Sequence, residues 1–169
     1  KIKTEFHDVI NWLHERACAR QQGLGTKLPW DNDWIVESLS DSVIYMAYYT
    51  LSRFVNDGTV QADNLTKEFF DYVFLDKGSI DAVASSSNLS EDIINTMKKE
   101  FQYFYPVDAR HSGRDLVQNH LSFFVLNHAA IFEEKLWPKE IVVNGSVMMD
   151  GAKMSKSMGN IIPLRTAIR

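Results

Sequence analysis

The sequence predicts an α/β fold in which part of a parallel sheet carries an inserted block of helices. Three observations lead there. After Pro106 come a short strand at residues 107–111, a helix running to about residue 134 and a second strand, Glu140-Ile141-Val142-Val143-Asn144. That order is a βαβ unit, whose strands run parallel with a right-handed crossover. Upstream, residues 58–105 show helix-period apolar faces, with nothing suited to chemistry between Gly58 and Glu100. Hydrophobic residues at 45% and charged residues at 24% of 169 are ordinary for a globular chain, long enough for one domain with one core.

Taken in order, Phe6, Val9, Ile10, Leu13 and Ala17 recur with a period near 3.6 and predict an amphipathic helix over 6–20. Residues 18–30 contain two Gly, a Pro and a Trp and form a structured loop. A short strand follows at 34–38, and Ser40-Asp41-Ser42 offers N-caps for a helix over 43–55. That helix is apolar on nearly every face (Ile44, Tyr45, Met46, Ala47, Tyr48, Tyr49, Leu51, Phe54), which predicts burial. Its tyrosines are first of all core residues whose phenols need partners, and secondarily one wall of an apolar pocket. Residues 56–59 turn, and helices are expected at 66–75 and 90–103, the second capped by Ser90. Asp76-Lys77-Gly78-Ser79 and the polar tract Ser85-Ser86-Ser87-Asn88 join them, and the block is expected to cover an edge of the sheet.

Composition removes several function classes. A net charge of −4 leaves no global basic footprint, so nucleic-acid contact must come from a local patch or from other domains. A single cysteine, Cys18, excludes a disulfide framework, and with five scattered His it excludes a Cys-rich zinc ribbon, so no structural metal is expected and the setting reads as cytoplasmic. No apolar run reaches the length of a membrane span, and the first residues lack a signal peptide's apolar core, so no membrane partner is expected. The chain starts without Met and stops in a helix-like stretch, from which a piece of something larger is expected.

Ligands in open parallel sheets sit beyond the carboxyl ends of the strands, and two loops fall there. Ser112-Gly113-Arg114-Asp115 follows the first strand; Gly113 allows close backbone approach, and Asp115 either caps the next helix or accepts hydrogen bonds from ribose hydroxyls. The second loop is Gly151-Ala152-Lys153-Met154-Ser155-Lys156-Ser157-Met158-Gly159-Asn160. Two ammonium groups three positions apart, with hydroxyls beside them and flanking glycines, suit a mobile loop gripping polyphosphate; the plainer alternative is a solvated surface loop. His120 and His128 lie farther along the predicted helix, where a histidine on an apolar face is most often a satisfied core residue.

Lys153-Met154-Ser155-Lys156-Ser157 resembles the KMSKS signature of class I aminoacyl-tRNA synthetases, and residues 113–120 resemble their Gly-x-Asp-x-x-x-x-His segment. Arg20, Gln21, Gly25 and Pro29 fill the Arg-Gln-x-x-x-Gly-x-x-x-Pro pattern by which the leucyl, isoleucyl and valyl enzymes re-enter the catalytic core after their editing insertion. With Cys18-Ala19, Pro29-Trp30, residues 37–42, residues 45–49, Asp115-Leu116 and Asn119-His120-Leu121, the chain is similar to the leucyl-tRNA synthetase family of archaeal and eukaryotic-cytosolic type. The resemblance implies the second half of a class I synthetase Rossmann-like parallel-sheet domain with a helical insertion. Residues 1–57 would be the core re-entry segment and buried helix, 58–105 the insertion, and 106–169 the nucleotide-binding half.

It also implies an ATP-dependent ligase that activates leucine and transfers it to tRNA(Leu), with ATP as substrate and Mg2+ accompanying it. Lys153 and Lys156 would stabilise charge growing on the departing pyrophosphate, a term that matters because it is larger in the transition state than in the ground state. Ser155, Gly113 and Asp115 would complete the ATP site, with backbone near Val143 and Met154 facing the adenine. His120, Ser42, Tyr45 and Tyr49 would line the amino-acid pocket. No histidine sits in the family's other signature, a His-x-Gly-His frame, and the editing and anticodon-binding parts are missing, so the chain is expected not to form adenylate without the remaining synthetase domains. The alternatives are an isoleucyl or valyl enzyme or another nucleotidylyltransferase of this fold, and a non-catalytic fragment that only binds nucleotide or packs on a partner domain.

Overall fold

The computed structural model describes residues 1–149 and 151–168. Its α/β character is as predicted, although several elements differ from their sequence periodicity for identifiable reasons. Helix α1, Ile2–Trp12, buries Val9 and stops well short of residue 20, with Leu13 extended. Ala17, the last apolar position of the period, is exposed, and one methyl offers too little apolar area to hold further turns. The expected loop contains two short strands, β1 (Ala19–Arg20) and β2 (Lys27–Leu28), which flank β3 (Asp31–Val36) in an antiparallel sheet of order β1-β3-β2.

The continuous buried helix expected at 43–55 is not formed. A short helix α2 (Ser38–Asp41) takes up the expected capping residues, and α3 (Tyr45–Tyr49) is separated from α4 (Ser52–Asn56). Thr50 and Ser52 explain the break: their hydroxyls bond the carbonyls of Ala47 at 2.7 Å and Tyr49 at 3.0 Å, competing with the helical ladder. Ala47, Leu51 and Phe54 remain buried, but Tyr48 and Tyr49 turn outward, with Tyr49 65% exposed.

Three helices follow: α5 (Lys67–Leu75), α6 (Ile80–Ser87) and α7 (Glu91–Phe104). Each begins at a hydroxyl cap, Thr66, Ser79 and Ser90, whose oxygen accepts a backbone N–H of the first turn. Helix α6 occupies part of the tract expected to be a joining segment. Its serines satisfy themselves inside the helix, since the Ser86 and Ser87 hydroxyls donate to the Val83 carbonyl, and Asn88 ends it at a φ of 55°. Leu51, Phe69, Val73, Ile94, Met97 and Phe101 are among the residues that close the core over this block.

The parallel unit consists of β4 (Ala109–Gly113) and β5 (Glu140–Asn144), in register from Ala109 opposite Glu140 to Gly113 opposite Asn144. Strand β4 starts two residues later than expected. Between the strands lie a 3-10 turn at Arg114–Leu116, a π-helical stretch at Val117–Leu121 and α8 (Ser122–Ile131). Beyond β5, the strands β6 (Met148–Met149) and β7 (Ala152–Lys153) pair antiparallel, and a final short helix α9 spans Leu164–Ala167. Among the described residues no helix is long and apolar enough to cross a membrane.

His128 is the buried core histidine that its place on α8 suggests. Its Nδ1 donates to the Phe124 carbonyl at 2.7 Å and its Nε2 accepts the Tyr105 hydroxyl, tying the end of α7 to α8. Burial lowers the His128 pKa from 6.5, partly opposed by the Phe124 bond, and raises that of the Tyr105 phenol. The unfolded chain therefore takes up this proton first as pH falls. Stability from the neutral imidazole is full above about pH 6.5 and declines as pH drops toward the depressed folded value. A melting temperature lower at about pH 5.5 than at about pH 7 is expected; equal values would show that the pair does not carry this load.

Candidate functional site

Asp115 lies two residues past the end of β4, in the 3-10 turn that starts there. Its carboxylate folds back over Gly113, so that a Cβ built at 113 would stand 2.6 Å from Asp115 Oδ1. A larger residue at 113 would therefore push the carboxylate out of this position, which the exposed Asp115 side chain could accommodate by rotating. The other oxygen, Oδ2, lies 3.3 Å from Lys153 Nζ, with both side chains 55% exposed. A pair so exposed contributes at most about 1 kcal/mol. Its significance is positional, because it joins the strand-end loop to the lysine loop.

Glu5 of α1 reaches the same region and pairs with Arg114, whose hydrogen bond holds the Glu5 carboxyl below its usual pKa. Glu5, Arg114, Asp115, Gln118 and Ser146 line an open polar cleft of about 390 Å³. Val143 stands one residue before the end of β5, opposite Ser112.

The lysine loop leaves β7 at Lys153. The Met154 N–H bonds the Val147 carbonyl at 3.0 Å, the Ser155 and Ser157 hydroxyls meet at 2.8 Å, and Gly159, at a φ of 69°, returns its N–H to the Lys156 carbonyl at 3.2 Å. Lys156 is exposed on this turn and has no ion-pair partner among the described residues. Asn160 bonds both the Ser155 N–H and the Lys153 carbonyl.

His120 sits in the π-helical stretch, a local irregularity often found at functional sites. Its Nε2 lies 3.1 Å from the Ser42 carbonyl, while its Nδ1 is buried without a hydrogen-bond partner. Facing a carbonyl, Nε2 carries the proton, which leaves Nδ1 as an unused acceptor. The Ser42 hydroxyl is engaged with the Ser38 carbonyl. Tyr45 and Tyr49 meet edge to face at 4.9 Å but border different grooves: Tyr45 lines one with Ile44, Phe70 and Phe132, and Tyr49 one with Met46, Arg53 and Phe104. Neither groove is lined by Asp115, His120 or the lysine loop.

Of the sequence-derived candidates, the structure thus brings Gly113, Asp115 and Lys153 into one cluster and Ser42 and His120 into another, with Tyr45 and Tyr49 as a third pair. Two residues had no role assigned from the sequence. Arg110 donates to the Tyr45 hydroxyl at 3.4 Å and keeps a buried Nε without a partner. The available signal was strand alternation, which puts Arg110 on the same face as buried Ser112. Asn160 is the other, and nothing in its local sequence distinguishes it.

A strand-end Gly-x-Asp turn thus faces a lysine loop at the carboxyl edge of two parallel strands, an arrangement that belongs to an open α/β domain. Residues 3–168 match the family model described as tRNA synthetases class I (I, L, M and V), and the chain belongs to that family. Its relatives include leucine–tRNA ligase 2 of Sulfurisphaera tokodaii, 56% identical over 169 residues, which are 100% of this chain and 18% of that protein. The leucine–tRNA ligase of Archaeoglobus fulgidus is 51% identical over 167 residues, 99% of this chain and 18% of its own length. That of Methanocaldococcus jannaschii is 50% identical over 163 residues, 96% of this chain and 17% of its own length. The chain thus spans less than a fifth of the curated relatives it matches.

Proposed function

We propose that this chain is the second half of the catalytic domain of a cytoplasmic leucine–tRNA ligase, which activates leucine with ATP and passes it to tRNA(Leu). Residues 1–57 re-enter the core, 58–105 form a helical insertion, and 106–169 form the nucleotide-binding half with residues 153–157 as its KMSKS loop. The observation that carries this reading is the 3.3 Å approach of Lys153 to Asp115, which sets a cation for phosphate beside an acceptor for ribose. Names of relatives at 50–56% identity support leucine over isoleucine or valine.

In the proposed reaction the leucine carboxylate attacks the α-phosphorus of ATP, and the bond from that phosphorus to the bridging oxygen breaks, so that leucyl-adenylate forms and pyrophosphate leaves. Asp115 accepts hydrogen bonds from the ribose hydroxyls, with Gly113 leaving space for its carboxylate, and backbone near Val143 and Met154 faces the adenine. Lys153 and Lys156 follow the phosphates as point charges on flexible stems, and Ser155 donates to them. His120, through its free Nδ1, accepts a hydrogen bond at the amino-acid end beside Ser42, while Tyr45 and Tyr49, which border separate grooves in this structure, join that end only on a rearrangement around the substrate. Among the described residues no group of three or more His, Cys, Asp or Glu could hold a metal. Mg2+ would accompany the ATP phosphates, as it commonly does.

The complete enzyme containing this chain should exchange pyrophosphate into ATP when given leucine, with kcat/KM for valine lower by about 10- to 200-fold, the range that one methylene allows. Exchange driven equally by isoleucine or valine, or independent of any amino acid, would remove the leucine assignment.

A further inference from the structure

The lysine loop is held by a set of polar bonds. Among the described residues, none of the fully buried core positions lies beyond Phe132, and Met154 is the one apolar side chain of residues 153–157, only partly buried. One side chain makes two of those bonds. Asn160 Oδ1 accepts the Ser155 N–H at 2.9 Å, and its Nδ2 donates to the Lys153 carbonyl at 3.2 Å. A single amide thus bridges the peptide groups on both sides of Met154, while the Gly159 N–H closes the opposite turn on the Lys156 carbonyl at 3.2 Å.

We propose that Asn160 is a positioning residue for the phosphate-binding lysines: its amide clamps the loop so that Lys153 and Lys156 are presented together before any ligand arrives. This rests on the assignment of residues 153–157 as the phosphate loop. The chemistry calls for an amide, with a donor and an acceptor on one planar group. A carboxylate at 160 could still accept from Ser155, but its second oxygen would face the Lys153 carbonyl without a proton between them. Alanine would provide neither bond. Charges help a transition state most when they are already in place, so a loop that must order itself around the phosphates loses both affinity and rate.

The test uses the complete enzyme and inorganic tripolyphosphate, which has the charge of the ATP tail without its nucleoside. In Asn160→Ala, tripolyphosphate binding measured by calorimetry should weaken about tenfold, the scale of one to two net hydrogen bonds. The kcat of leucine-dependent exchange should fall in parallel, while leucine affinity and the melting temperature stay at wild-type values. Asn160→Asp should lose at least as much, despite its similar size. Wild-type tripolyphosphate affinity in Asn160→Ala would overturn the positioning role. So would an equal loss of leucine binding with a lowered melting temperature, which marks a general structural part. Lys156→Ala serves as the separate check: if it leaves tripolyphosphate binding unchanged, the phosphate-loop assignment itself fails, and the role of Asn160 with it.

Discussion

Changing Lys156 to Ala should slow leucine-dependent pyrophosphate exchange in the complete enzyme by about 10² to 10³, the cost of removing one preorganised charge or donor from a developing anion, ~2.7–4 kcal/mol. The structure gives reasons for this substitution to report on the reaction rather than on folding. Lys156 is exposed on a turn and holds no ion pair among the described residues, so its removal breaks no internal bond. Lys153 is less clean, because its ammonium also neighbours Asp115, and its loss would change the carboxylate's surroundings as well as the phosphate site. The expected signature for Lys156→Ala is a fall in kcat with little change in leucine affinity or melting temperature. Arginine at 156 should recover only part of the rate, since its charge is spread over a planar fork instead of concentrated on a mobile ammonium. A rate within threefold of wild type for Lys156→Ala would mean that the loop does not act on the leaving pyrophosphate.

What the sequence disclosed, and what it hid, divides along the range of the interactions involved. Strand β5 fell where expected because Ile141-Val142-Val143 is a β-branched run bounded by Pro138 and Gly145, a purely local signal. Helices α5 and α7 matched expectation to within a residue or so because Thr66 and Ser90 fix their starts by bonds to the next turn. The misreadings came where side chains competed with the backbone. Apolar content around residues 43–55 implied one buried helix, but the hydroxyls of Thr50 and Ser52 broke it, and Tyr49 went to the surface. Serines 85–87 looked like a linker and instead closed α6 through bonds to Val83.

The candidate site divides in the same way. Gly113 and Asp115 could be singled out because a glycine and a carboxylate two positions apart after a parallel strand form a short-range pattern. The contact between Arg110 and Tyr45 spans 65 positions, and strand alternation could indicate Arg110's face but not its partner. The Asn160 bonds depend on how the loop doubles back. That His120 reaches Ser42 across 78 positions is equally a product of the fold.

Phe101→Ala should destabilise the chain by about 3–5 kcal/mol, the usual range for emptying a buried aromatic site. Phe101 is 2% exposed, and its ring centroid lies 4.7 Å from that of Phe74, 4.9 Å from Tyr105 and 6.4 Å from Phe132. Those neighbours come from α5, from the residue just past α7 and from the residue just past α8, so no single backbone shift can close the cavity. Against a total stability of roughly 5–15 kcal/mol, such a loss removes a large share of the margin. The position of the damage gives it a functional consequence. Tyr105 also donates to His128 on α8, and α8 continues directly from the π-helical stretch that carries His120. Loosening this aromatic stack should therefore free the support of the proposed amino-acid end of the site, whereas the lysine loop, with no residue in the core, keeps its own bonds. Urea unfolding measures the first effect. For the second, the remaining native protein should bind leucine more weakly while tripolyphosphate affinity stays near wild type. A destabilisation below about 1 kcal/mol would show that the site collapses freely, and equal weakening of both ligands would show that the helical block supports the whole site rather than one end of it.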